Sequence, residues 1–316
     1  MSILNNNKII YIIFIMISII IFLLLVLILT RYFICLSIYK KQKKVIKPGL
    51  VDAKFFLTSD NYNLSWLGNI KSTAETIILG IHDYGQTRDS FIDLKDYCDK
   101  YHNDISVISY DQRNFGQNKK IKVFNYNNLI NDLNEIIEYI SKEYPEKNLV
   151  LIGEGFGSTI VSNFMRRKEI HNVFFCSLYL NQFKKLNINL IFKMLLGIIF
   201  SYKIMLTQNL DMNIICDNSY NKISSTLNSY NKKNYKEYLQ IKKLNNKITK
   251  NFRNSNLKVH LLLPTNDIFI NKETYINMFS NIDVNKINII KLENEKHLFL
   301  RGNGKEEIFK TIIKLL

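Results

Sequence analysis

Apolar positions along the chain fall into three regimes. The first, Ile9–Thr30, is an unbroken apolar run without a charge. As a helix rising about 1.5 Å per residue it spans a hydrocarbon layer about 30 Å thick. Its large side chains do not match the shorter core and small-residue cleavage site of a secretion signal, so it predicts an uncleaved transmembrane anchor over residues 1–31. The second regime, residues 32–51, is a basic linker suited to anionic lipid. From residue 52 to 316 short apolar runs alternate with stretches of helical period, which predicts one α/β domain with a mostly parallel sheet covered by helices.

Within that domain the runs Ala53–Thr58 and Tyr62–Leu67 flank Ser59-Asp60-Asn61 and predict an antiparallel hairpin. Thr76–His82 holds a continuous apolar run (I-I-L-G-I), as expected of a strand buried on both faces, and Ile105–Tyr110 and Leu149–Ile152 are expected as further buried strands. Helices are predicted near Asp89–Tyr101 and over Tyr126–Glu143, where Leu129, Ile130, Leu133, Ile136, Ile137 and Ile140 share one face. A helix to about Lys168 and a strand over Asn172–Leu180 follow. Residues 181–256 break the rhythm. Their apolar segment Ile188–Leu206 is interrupted by Lys193, Gly197 and Lys203, so it predicts helices of an inserted cap rather than a second span. Strands at Val259–Leu263 and Ile287–Leu292 and helices near Lys272–Phe279 and Lys305–Leu316 complete the domain.

Composition narrows the function classes. Lys and Arg number 43 against 27 Asp and Glu, a formal charge of +16. The excess is spread through a chain rich in Lys, Asn and Ile, without an Arg cluster or aromatic platform, and so argues against nucleic acid as a partner. Around the apolar run the charge is uneven: Lys8 precedes it, whereas Arg31, Lys40, Lys41, Lys43, Lys44 and Lys47 follow, which points to a cytoplasmic location for the domain. Cys35, Cys98, Cys176 and Cys216 have no paired spacing, so free thiols are expected, with neither a disulfide framework nor a metal site. No cofactor motif is present.

The chemistry is carried by motifs at strand ends. Leu149–Ile152 runs into Gly153-Glu154-Gly155-Phe156-Gly157, the G-x-S-x-G turn with glycine at the nucleophile position. Ile81-His82-Asp83-Tyr84-Gly85 is similar to an H-G-x-G turn, and Tyr110-Asp111-Gln112-Arg113-Asn114-Phe115-Gly116 to a Y-D-x-R-G-x-G segment. Pro264-Thr265-Asn266-Asp267 follows one late strand and Glu295-Lys296-His297 the other, so that elbow, Asp and His occur in the order of the α/β-hydrolase fold.

With these segments the region 52–316 resembles the α/β hydrolases of the monoacylglycerol lipase and lysophospholipase group, the serine aminopeptidase S33 domain. That resemblance implies a catalytic set of the residue at 155 with Asp267 and His297. It implies an oxyanion hole from the backbone N–H groups of Tyr84 and Phe156, a cap covering an acyl-chain pocket, and lipid or acyl-ester ligands. His82 is then structural, Glu154 scaffold, and Ser158 a helix-start or packing residue rather than a replacement nucleophile.

The chain also departs from the pattern. Gly155 cannot form an acyl-enzyme. Asp83 replaces glycine and adds a charge beside the oxyanion site. Asn114 also replaces a glycine, but Asn tolerates positive φ. Pro264 and Asn266 alter the acid loop. A catalytically impaired, lipase-like membrane protein is the leading expectation. Water activation by Asp267 and His297, with Glu154 assisting, is an alternative, and a lipid-binding or scaffold role without catalysis is another. If only the nucleophile is missing, Gly155→Ser alone should restore hydrolysis.

Overall fold

A computed structural model describes residues 2–41, 46–121, 125–178, 205–207, 212–217, 232–269 and 286–316. The expected helix near Lys272–Phe279 and most of the expected cap lie outside these residues. The N-terminal helix α1 covers Ser2–Lys41, and within it Ile10–Thr30 is a solvent-facing stretch long and apolar enough to be a candidate membrane span.

The domain is an α/β-hydrolase fold built on a nine-stranded sheet. In chain order its strands are β1 (Gly49–Val51), β2 (Phe55–Leu57), β3 (Asn63–Leu67), β4 (Thr76–Ile81), β5 (Ile105–Tyr110), β6 (Asn148–Glu154), β7 (Ile170–Cys176), β10 (Val259–Pro264) and β11 (Ile287–Leu292). Strands β8 (Met205–Thr207) and β9 (Lys232–Asn234) pair separately. The spatial order is β1-β2-β3-β5-β4-β6-β7-β10-β11. The first three strands are antiparallel, β3 meets β5 antiparallel, and every later pair is parallel. The helices are α2 (Ile92–Tyr101), α3 (Asn127–Glu143), α4 (Phe156–Val161), α5 (Met212–Ile215), α6 (Tyr235–Arg253) and α7 (Lys305–Lys314).

Burial follows the pleat. Ile77, Leu79 and Ile81 of β4 join Leu129, Leu133, Ile136 and Ile140 of α3 on one side. Ile78 points the other way, to Phe91, Leu94 and, from α7, Ile308 and Phe309. β4 therefore has no solvent face, which accounts for its continuous apolar sequence. Strand order reverses around β4, since β5 and β6 flank it. The loops after β4 and β6 thus diverge from one crevice at the carboxyl edge, the usual ligand position in such sheets.

Three local expectations shift. The sheet starts inside the expected linker, because Gly49–Val51 pairs with β2 through a turn in which Asp52 and Ala53 have positive φ. The helix after the elbow ends as α-helix at Val161 and closes as a 3₁₀ turn over Ser162–Phe164. Ser162 and Asn163 there return hydrogen bonds to the carbonyl of Thr159, competing with helical continuation. Finally, β7 runs from Ile170 to Cys176 and stops at Ser177, whose φ is +64°.

Candidate active site

Site residues arrive on loops at the carboxyl ends of β4, β6, β10 and β11. The elbow lies between β6 and α4. Gly155 there has φ 51° and ψ −111°, and its N–H donates to the carbonyl of Cys176 at 2.9 Å. Such a conformation is strained for residues with a side chain and easy for glycine. A Cβ on Gly153 would come within 2.6 Å of the Ser158 backbone, and one on Gly157 would run into the carbonyl of Ile81, so α4 packs on the sheet only with glycine at both positions. The Ser158 hydroxyl points inward between the carbonyls of Gly153 (2.6 Å) and Ser177 (2.9 Å). Glu154 is fully buried, in register with Cys176.

Asp267 and His297 meet as the motif order requires. Asp267 Oδ2 lies 2.7 Å from His297 Nδ1, and its Oδ1 accepts from the Phe269 N–H at 2.8 Å. Ser177 takes part without any sequence signal: its hydroxyl donates to the His297 carbonyl at 2.7 Å. The Leu298 N–H, next along the chain, donates to Ile215 of α5 at 3.0 Å. His297 is thus tied by side chain and backbone, and it is fully buried.

Asp83 completes the arrangement. Its Oδ1 accepts from the N–H of Tyr84 at 2.6 Å and of Phe156 at 2.5 Å, the two donors expected to form the oxyanion hole. Its Oδ2 lies 3.0 Å from His297 Nε2. A Cβ built on Gly155 would fall within the Asp83 carboxyl. Residue 83 therefore stands inside the site rather than beside it, and Gly155→Ser alone meets a steric obstacle that the motif did not reveal.

The electrostatics follow. Burial alone pulls the His297 imidazole pKa down, but Asp267 and Asp83 reverse this and raise it to about 10. At neutral pH His297 is an imidazolium donating from both nitrogens to carboxylates. His82 behaves oppositely, its pKa lowered by burial. The Gln112 N–H, 2.9 Å away, requires Nε2 of His82 to accept, and the carbonyl of Asp83, 2.7 Å away, requires Nδ1–H to donate. His82 is thus a neutral pin holding the loop that carries Asp83.

The segment after β5 is structural. Arg113 is buried and pairs with Asp132 of α3 at 2.6 Å and with Asp60 of the β2–β3 turn at 2.7 Å. Burial alone lowers its pKa, but the two carboxylates raise it above the ordinary arginine value. Asp111 accepts from the N–H groups of Arg88 (2.8 Å) and Gln117 (2.9 Å), and Asn114 has φ +69°. Pro264 ends β10 opposite Leu292, and the Asn266 N–H donates to the carbonyl of Glu295 at 3.0 Å, joining the acid loop to the histidine loop. Among the described residues no group of His, Cys, Asp and Glu side chains is placed to hold a metal ion.

Such a sheet, with a glycine-flanked elbow and an Asp–His pair at its carboxyl edge, defines an α/β hydrolase. The sequence model of the serine aminopeptidase S33 family matches residues 73–302, and the chain belongs to that family, of the lipase and esterase type. No curated protein sequence matches it. Among solved structures it is similar to a monoacylglycerol lipase from Paleococcus ferrophilus, at 17% identity and TM-score 0.65 over 80% of this chain and 97% of that one. A soluble variant of monoglyceride lipase from Saccharomyces cerevisiae, solved with a substrate analogue, is 14% identical at TM-score 0.65 over 85% and 93%. The thioesterase domain from the curacin biosynthetic pathway is 13% identical at TM-score 0.59 over 84% and all of that chain.

Proposed function

We propose that the chain is a membrane-anchored, lipase-type α/β-hydrolase protein that no longer hydrolyses acyl esters through a covalent intermediate. Its retained task is then to bind a lipid or acyl ligand beneath the cap expected over residues 181–256. The observation that carries this reading is Gly155 at the turn between β6 and α4, where a nucleophile is required and no side chain exists. Loss of the serine nucleophile costs about 10⁶ in kcat in a comparable triad. The remaining activity of such a site depends largely on its oxyanion hole, and each lost donor costs a further factor of about 10²–10³. Water activation by Asp267 and His297 is the weaker reading. His297 Nε2, which would have to accept the proton, faces Asp83 and already carries one at neutral pH.

The membrane part of the proposal rests on the apolar stretch Ile10–Thr30 and on the basic residues that follow it, which favour a cytoplasmic domain. Deletion of residues 1–31 should release the chain from carbonate-washed membranes. The catalytic part is tested with the full chain in detergent micelles, using a short acyl p-nitrophenyl ester and a monoacylglycerol. The expected rate equals that of buffer, and His297→Ala leaves it unchanged. Turnover by the native chain that disappears in His297→Ala overturns the proposal.

A further inference from the structure

In the native chain one carboxylate holds two stations that ester hydrolysis keeps separate. The nucleophile needs a place near the elbow facing the histidine Nε2; the substrate's developing oxyanion needs the two backbone N–H groups. Here Asp83 Oδ2 faces His297 Nε2 at 3.0 Å. Asp83 Oδ1 takes the N–H groups of Tyr84 and Phe156 at 2.6 and 2.5 Å. The carboxylate has no exposed surface, and the carbonyl of the same residue accepts from His82 Nδ1 and from the Gln86 N–H at 3.1 Å, so both ends of Asp83 are held. The surroundings satisfy it: the cationic His297 lies between Asp83 and Asp267, and buried charges persist where they are paired and hydrogen-bonded in this way. Space at the elbow agrees, since any residue larger than glycine at 155 would have its Cβ inside the Asp83 carboxyl.

We infer that Asp83 is the resident anion of this site, a built-in carboxylate that replaces both the serine oxygen and the substrate oxyanion, and that Gly155 is the residue this occupant requires. Residues 83 and 155 then form one coupled exchange rather than two separate losses. The same cradle, emptied by Asp83→Gly, is a receptor for a small external carboxylate, with Tyr84 N–H, Phe156 N–H and His297 Nε2–H as donors. The inference deepens the proposed loss of catalysis but is read on stability, so the two fail separately: turnover by the native chain overturns the function, and absence of coupling overturns Asp83 as occupant.

The test is a double-mutant cycle on the full chain in detergent, with unfolding followed by the emission of Trp66, the single tryptophan, which is buried in β3. Gly155→Ser should lower the apparent Tm by about 5 °C or more when Asp83 is present, and by clearly less in the Asp83→Gly background. Equal losses in both backgrounds overturn the inference. If neither chain carrying Gly155→Ser folds, the claim is read on Asp83→Gly alone. Sodium acetate at about ten times its dissociation constant should raise the Tm of that variant by roughly 3–5 °C relative to sodium chloride, and leave the native chain unmoved. No response in Asp83→Gly, or the same response in both chains, overturns it.

Discussion

The charge state of His297 makes a prediction that needs no substrate. Its pKa is about 10 in the folded chain and 6.5 in the unfolded one. A raised folded pKa stabilises fully below pH 6.5, and that stabilisation is lost as pH rises towards 10. Well above pH 6.5 the native state holds one proton more than the unfolded state, so stability falls by up to about 1.4 kcal/mol per pH unit. Integrated from pH 7 to 8.5, the loss is about 2 kcal/mol, or roughly 4–8 °C in Tm for a domain of this size. Two other sets of groups bear on that window. His82 and His260 have lowered pKa values, which affect stability mainly below about pH 6.5. Burial raises the thiols of Cys98 to about 12 and Cys216 to about 11 and that of Cys176 upward; with an unfolded thiol pKa of about 8.5 they add a loss of the same sign, together roughly 1 kcal/mol by pH 8.5, and they do so in the native chain and in a His297 variant alike. The assay is Trp66 emission against temperature in detergent at pH 7, 7.5, 8 and 8.5, on the native chain and His297→Gln. Both slopes should be negative, the native one steeper by about 2 kcal/mol between pH 7 and 8.5, with Asp83→Asn between them. A native slope equal to that of His297→Gln refutes the imidazolium and with it the charge balance of the site.

Other consequences follow from packing. Arg113→Met strips both carboxylate partners of their cation and leaves the Asp132 carboxyl, whose pKa burial raises to about 6 even beside the arginine, unpaired in the interior. It should cost about 3–5 kcal/mol by urea unfolding, and adding Asp132→Leu should recover much of that. Ser158→Ala removes a hydroxyl shared by two buried carbonyls and should cost about 1–3 kcal/mol. If Ser158 were instead a substitute nucleophile, a fluorophosphonate probe would label the native chain and not Ser158→Ala; the expected result is no labelling of either.

The order of elements is readable because periodicity carries it: β4 and β6 are apolar on both faces, β5 is mostly so, and α3 shows its stripe. The elbow, Asp267 and His297 were found by their places after strands, and the structure brings them to one edge. Asp83 was visible only as a departure from a glycine-bearing turn. That its carboxylate reaches back over the Phe156 N–H depends on the apposition of the β4 and β6 loops, which no local pattern encodes. Ser177 gave no signal either, because its bond to the His297 carbonyl spans 120 positions. Strand β1 falls within the expected linker because three residues are too few to show an alternation.

The most direct measurement of the central claim is ester hydrolysis by four full-length chains: native, Gly155→Ser, Asp83→Gly and the double variant. A disarmed hydrolase held by a resident anion predicts three silent chains. The double variant should turn over p-nitrophenyl butyrate at least about 10³-fold above the native chain and lose that rate when His297→Ala is added. Gly155→Ser alone matching the double variant, or a folded double variant that remains silent, would contradict the account.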